Sequence, residues 1–311
     1  VPGPRHHAKI TRCSRCIEVQ FADGMHLDVT PMVRIAATPE KWGYIYHAPQ
    51  CYATTQDARV VANPWGFARH FLQCTPKDYA FEAVFLERAR AFDAKRLLVE
   101  AQADVEPVPA QEPIHAKSMA VIALQLLKRY RNVCYDQREG RCPPSVMLAK
   151  VVADHAGHAS TLSGELLIQA SQLRELLMLA QNRAETVEVR NPACEPDVFT
   201  DRWPGTLASQ QLFISDLNTF IAKLQRLRGN VDLTEMQATL AALFGEKATI
   251  EAVKQLNERI GQKIVAGQSQ HVPGTGRIVL PTPAQVASVA AATVVPSGAR
   301  ATPKHTYFGS D

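Results

Sequence analysis

The chain has 311 residues, 46% of them hydrophobic and 21% charged, with 34 Lys+Arg against 30 Asp+Glu; it is a globular composition with room for two domains. The small basic excess excludes a duplex-binding surface as the main feature and leaves space only for a local basic cleft suited to phosphates. No apolar run approaches the ~18 residues of a membrane span, and seven cysteines scattered from Cys13 to Cys194 fit reduced thiols in a cytoplasm better than a disulfide framework.

The first elements are strands. Lys9 to Phe21 alternates, with Ile17, Val19 and Phe21 on one side and Glu18 and Gln20 on the other, which predicts one strand. Asp23-Gly24 signals a turn. The return strand His26-Leu27-Asp28-Val29-Thr30 places Asp28 on the polar face. A three-residue loop or a bulge, pairing Val19 with Val29 and Gln20 with Asp28, keeps polar opposite polar. Asp28 then points away from the core near Glu18, where two carboxylates attract either a cation or water.

Cys13-Ser14-Arg15-Cys16 has the spacing of a zinc knuckle. On an alternating strand the two thiols face opposite sides, and no second such pair exists. His6 and His7 could in principle complete a site, yet the spacing argues against zinc.

Residues 41 to 62 read as irregular, and Asn63-Pro64 opens a short helix through Phe67 and Phe71. Thr75-Pro76 starts another, running to Phe92, and Val105 to Pro113, with three prolines, reads as a linker. Apolar residues at three- and four-residue spacing then predict helices at about 115–134, 145–156, 162–183, 206–228, 232–244 and 248–266. From Gly267 onward the chain lacks periodicity and reads as a flexible tail.

Two of these helices carry possible ligand chemistry. Lys128 and Arg131 are three apart and share a helix face, while Ser145 follows Pro143-Pro144 at a helix N-terminus, where free N–H groups and the dipole favour anions. Together they suit a polyphosphate. The plain alternative is a basic helix end and a capping serine.

The ordered set of Asp28 in His-Leu-Asp-Val-Thr-Pro, Asn63-Pro64-Trp65-Gly66-Phe67, Leu126 to Arg131, Pro143-Pro144-Ser145, and Asn191-Pro192 through Thr200-Asp201-Arg202-Trp203 resembles the bacterial cyclic-oligonucleotide synthases. These are the cGAS/DncV-like nucleotidyltransferases, or CD-NTases, related to cyclic GMP-AMP synthase and 2'-5' oligoadenylate synthase. The likeness covers roughly residues 9 to 270. It implies an α+β fold in which the remainder of a polymerase-β-like nucleotidyltransferase core (1–110) packs against a helical domain (111–267), followed by the tail (268–311).

By that resemblance Asp28 is the third metal-binding aspartate and a catalytic residue, Lys128 and Ser145 contact the donor triphosphate, and Asn63 lies close to a nucleobase. The implied cofactor is Mg²⁺, with Mn²⁺ as substitute, and the implied substrates are ATP, GTP or other ribonucleoside triphosphates, joined into a cyclic di- or trinucleotide for antiviral defence. The family's Gly-Ser turn and Asp-x-Asp pair have no match in residues 1–27. The expectation is therefore that the chain starts inside the catalytic domain and, as it stands, binds nucleotide weakly and catalyses little. The alternative is a non-catalytic nucleotide-binding or scaffold protein. Lys304 to Gly309, with Tyr307-Phe308-Gly309, further resembles chain ends presented to a conjugating or regulatory partner protein.

Overall fold

In a computed structural model of the chain, the described residues are 9–21, 26–38, 41–47, 59–79, 81, 83, 118–157, 159–229 and 231–265, with short strands at 270–272, 277–279 and 300–301. The chain divides into two compact units, Val1–Asn230 and Val231–Asp311. That division falls inside the segment 111–267 that the pattern of amphipathic helices groups together.

The first unit opens with an antiparallel sheet of β1 (Lys9–Arg12), β2 (Ile17–Gln20) and β3 (His26–Val29). The single strand expected over 9–21 is instead a hairpin, closed where the Cys13 N–H donates to the Cys16 carbonyl at 2.8 Å. The cause lies in the phase of the pattern. Ile10 is even-numbered whereas Ile17 and Val19 are odd, and Ile10 pairs with Val19 on one face only because a two-residue turn flips the phase. Cys13 and Cys16 therefore flank one tight turn and do not face opposite sides of a strand.

The β2–β3 register pairs Ile17 with Val29, Glu18 with Asp28 and Val19 with Leu27. This is displaced by two residues from the expected pairing of Gln20 with Asp28, because the connection spans Phe21 to Met25. A shift of two preserves parity, so the polar and apolar faces fall as expected.

A second antiparallel sheet, β4 (Met32–Arg34), β5 (Gly43–Tyr46) and β6 (Arg59–Ala62), replaces the irregular stretch expected over 41–62. Its strands hold only three or four residues each, too few to show a period. Gly43 is required by packing: a Cβ there would lie 2.5 Å from Met32 Cγ.

Helix α1 (Pro64–Cys74) begins as expected, with Asn63 as N-cap and Pro64 at the first position. The helix expected from Thr75-Pro76 to Phe92 and the linker at 105–113 lie largely outside the described residues. The helices α2 (Met119–Tyr135), α3 (Ser145–Asp154), α4 (Leu162–Asn182) and α5 (Leu207–Arg228) fall close to their predicted spans. Ser118 and Thr161 cap α2 and α4, and Thr206 closes a capping box with Ser209 at α5. α4 runs against both α2 and α5, and α3 lies against α1 and α2. Leu173, Leu177, Phe213, Leu217 and Phe220 are fully buried between them, the kind of core whose truncation costs about 2 to 5 kcal/mol per side chain. A hairpin not expected from the sequence, β7 (Arg190–Asn191) and β8 (Cys194–Val198), lies beside β6.

In the second unit α6 (Leu233–Phe244) and α7 (Glu246–Val265) form a hairpin through Gly245, whose φ of 88° suits glycine. Three short strands, β9 (Gln270–Val272), β10 (Arg277–Val279) and β11 (Arg300–Ala301), pair within the stretch read as a tail; Lys304 to Gly309 lies outside the described residues. Among the described residues no helix is long and apolar enough to cross a membrane.

Candidate functional site

Lys128 and Arg131 emerge from the same side of α2 because three residues nearly complete a turn. Their roles differ. Arg131 is only 7% exposed. Its Nη1 donates to the Pro143 carbonyl at 2.7 Å and to Ser145 Oγ at 2.9 Å, while Nε and Nη2 donate to Asn132 Oδ1. The guanidinium is thus a strut that fixes where α3 begins, and it is not free to hold a polyphosphate as the shared face suggested. Burial lowers its pKa, a cost offset by these bonds.

Lys128 is half-buried, and no hydrogen bond or ion pair to its ammonium is found among the described residues. Its pKa is lowered by burial first and by the neighbouring Arg131 charge second. An ammonium held in such a place is strained by its own charge, and an anion placed beside it removes that strain. Ser145 is the first residue of α3, after Pro144, which makes no side-chain cap. The Ser145 hydroxyl accepts from Arg131 and keeps its own proton to donate. Pro144 has no N–H, and the first intrahelical donors are Met147 and Leu148, so the N–H groups of Ser145 and Val146 remain available. Arg131 links the two elements, bonded to the Ser145 hydroxyl and sharing its helix face and its charge field with Lys128.

Asn63 has a different placement. It is fully buried. Its Oδ1 accepts from the Gly66 N–H at 2.8 Å and its Nδ2 donates to the Ala193 carbonyl at 3.4 Å. Its backbone N–H donates to Asp197 Oδ2 at 2.9 Å, and its carbonyl accepts from Asn191 Nδ2 at 2.9 Å. With the amide engaged and no surface exposed, the side chain offers no atom to a nucleobase in this structure. Asn191 also donates to Asp197 Oδ2 at 2.8 Å. Burial raises the Asp197 pKa, with the Asn191 and Asn63 donors pulling it back.

Asp28 sits on the exposed polar face of β3, directly opposite Glu18. Its sheet meets the turn between β8 and α5 through the Cys13–Cys16 turn: Arg15 Nη2 pairs with Asp201 Oδ2 at 2.5 Å, and Arg202 Nη2 donates to Ser14 Oγ at 3.0 Å. Arg15, Asp201, Arg202 and Ser14 meet across more than 180 residues of chain, a relationship that no local sequence pattern marks. As for the implied Mg²⁺, no group of three His, Cys, Asp or Glu that could hold a metal occurs among the described residues. Asp28 and Glu18, paired across β2 and β3, are two carboxylates of such a group.

No family model matches the chain. Over 307 residues, 97% of this chain and 71% of the relative, it is 36% identical to the cyclic dinucleotide synthase CdnG of Bradyrhizobium diazoefficiens. It is 24% identical over 269 residues to the c-di-GMP synthase of Roseivirga ehrenbergii, covering 86% of this chain and 64% of that protein. The solved structure of the Bradyrhizobium diazoefficiens CD-NTase CdnG in complex with GTP superposes with a TM-score of 0.64 at 34% identity, over 80% of this chain and 69% of that one.

Proposed function

The chain belongs to the bacterial cyclic-oligonucleotide synthases, the CD-NTase nucleotidyltransferases, and we propose that Lys128 and Ser145 form its triphosphate-binding station, with Asp28 as the carboxylate it brings to nucleotidyl transfer. The observation that supports this reading is Lys128: a half-buried ammonium with a lowered pKa, on the helix face of the arginine that holds the Ser145 hydroxyl at the start of α3. The relative of known structure binds GTP, and a purine ribonucleoside triphosphate is the substrate class we assign.

In nucleotidyl transfer a ribose hydroxyl of one nucleotide attacks the α-phosphate of another and pyrophosphate leaves, so positioning and charge neutralisation carry the catalysis. Lys128 neutralises charge on the triphosphate, most needed as pyrophosphate departs. Ser145 donates to a phosphate oxygen and, with the N-terminus of α3, fixes its direction. Arg131 touches no phosphate and keeps Ser145 at its post. Repeating the transfer in the opposite sense closes a ring, the reaction for which the two curated relatives are named. We place the product in the cyclic dinucleotide class and the protein in the cytoplasm.

Titration of a non-hydrolysable GTP analogue tests the station. Lys128→Ala should weaken binding by about 1.5 to 3 kcal/mol, the worth of a charge-assisted bond, and Ser145→Ala by less. Equal affinity for Lys128→Ala and the parent would reduce the lysine to a solvated helix end.

A further inference from the structure

Cys13 and Cys16 face each other across the turn that joins β1 to β2. Arg12 pairs with Ile17, and the Cys13 N–H donates to the Cys16 carbonyl at 2.8 Å, so the two cysteines form the next opposed pair beyond the last rung of the ladder. Side chains of directly opposed residues leave the same face of an antiparallel pair. Their Cα atoms stand about 4.5 to 5.5 Å apart, inside the range that a disulfide spans. The thiols already touch, since the Cys16 S–H donates to the Cys13 sulfur. Both residues are partly exposed, so a small molecule in solution reaches them. Cys16 also stands one step along the same face from Glu18 and the Asp28 opposite it. Burial first, then the hydrogen bond to Cys13 and the Asp28 charge, push the Cys16 thiol up to about 11. Cys16 therefore keeps its proton at neutral pH, and Cys13 is the thiol that attacks first.

In a reducing compartment paired thiols of this kind form transient, redox-sensing bonds. We propose that Cys13 and Cys16 are a redox modification site, closed by a low-molecular-weight disulfide of the glutathione class into a bond across the β1–β2 turn. The Cys13 thiolate attacks one sulfur of the oxidant, forms a mixed disulfide and releases one small thiol. Cys16 then loses its proton to solvent and attacks the Cys13 sulfur, which expels the second small thiol. Two protein thiols give up two electrons, and one small disulfide is reduced to two thiols that take up the two protons. The ring so closed contains Ser14 and Arg15, the residues that hold Arg202 and Asp201. Oxidation thus acts on the turn that ties the sheet of Asp28 to the turn at 199–203, and the assignment stands apart from the role given to Lys128.

The experiment equilibrates the full chain in glutathione buffers of graded oxidised-to-reduced ratio, quenches with acid and an alkylating reagent, and reads the peptides by mass spectrometry. A Cys13–Cys16 bond is expected, with loss of two hydrogens from the peptide that holds both and the other cysteines alkylated. Cys16→Ser should trap glutathione on Cys13 roughly tenfold more than Cys13→Ser traps it on Cys16, because the second thiol resolves what the first begins. The same series in urea tests the turn itself: closure should be favoured roughly tenfold in the folded chain, where the pair is held in register. Absence of the bond in the most oxidising buffer, pairing of either residue with another cysteine, equal trapping in the two variants, or closure no easier folded than unfolded would each overturn the proposal.

Discussion

The side-chain amide of Asn191 donates to the backbone carbonyl of Asn63 at 2.9 Å, joining two Asn-Pro pairs that lie 128 residues apart in the chain. Each asparagine also shapes its own turn, Asn63 by accepting from Gly66 and Asn191 by accepting from the Ala193 N–H at 2.9 Å. Asp197 accepts from both. The start of α1 is thus bolted to the β7–β8 hairpin by two buried asparagines and the half-buried Asp197, and Phe67 meets Phe199 with ring centroids 4.8 Å apart. Gly66 belongs to the same device, since a Cβ there would stand 2.4 Å from Asn63 Nδ2.

Asn191→Ala should therefore cost about 1 to 3 kcal/mol, because it leaves the Asn63 carbonyl with the Phe67 N–H alone and removes a donor from the half-buried Asp197 carboxylate. The cost should depend on pH. Burial already raises the Asp197 pKa, so the folded state favours the protonated acid; that contribution is present in acid and is lost as pH rises through the folded value. Removing Asn191 raises the pKa further, so the variant should lose most at neutral pH and approach the parent in acid. Urea denaturation at two pH values measures the difference.

Arg131→Met should test the strut between α2 and the start of α3. The Pro143 carbonyl would lose its donor, at about 1 to 3 kcal/mol, and the start of α3 would loosen. GTP-analogue affinity should fall with it although Arg131 touches no phosphate, and Arg131→Lys should not restore either property, since one ammonium cannot reach the Pro143 carbonyl, Ser145 and Asn132 in the same fork. A lysine variant with parental stability and affinity would refute the strut.

The helices of the first unit are legible because α2, α4 and α5 carry long apolar periods; Ser118, Thr161 and Thr206 cap them within a few residues of the expected starts. The strands were less so. A hairpin with a two-residue turn differs from one long strand only in a phase change, here marked by Ile10 alone. β4, β5 and β6 are too short to show alternation. At the site, Lys128 and Ser145 could be found because a helix face and a helix start are local features. The burial of Arg131 and Asn63 could not, since each is set by partners far along the chain, and neither could the pairing of Arg15 with Asp201, 186 residues apart.

Lys128 should reveal its role through a trade of stability for binding. Its folded pKa lies below the ordinary 10.5, so folding disfavours its charge, and Lys128→Met should raise the melting temperature at neutral pH while weakening nucleotide binding. In the parent, stability should rise with pH between the folded and unfolded values. A bound triphosphate shifts the pKa back upward, so affinity should be full below the free-state value and fall as pH rises through the bound one. Parallel melting and titration series check both signs, and a Lys128→Met protein that melts lower than the parent would contradict the burial cost.

Asp28 faces Glu18 across the β2–β3 pair, and two like charges directly opposite each other on a sheet oppose folding by a few tenths of a kcal/mol, about 0.2 to 0.5. Asp28→Asn and Glu18→Gln should each relieve that repulsion by a similar small amount, because either change leaves one charge alone. Their effects on chemistry should diverge. In protein carrying all the family's catalytic segments, Asp28→Asn should abolish cyclic product while Glu18→Gln retains most of it, since the carboxylate assigned to the reaction is Asp28 and Glu18 is only its neighbour. Mass spectrometry of the product, alongside denaturation curves for both variants, separates the two residues. Undiminished product from Asp28→Asn would remove the catalytic assignment, and loss of product from Glu18→Gln alone would transfer it across the strand pair.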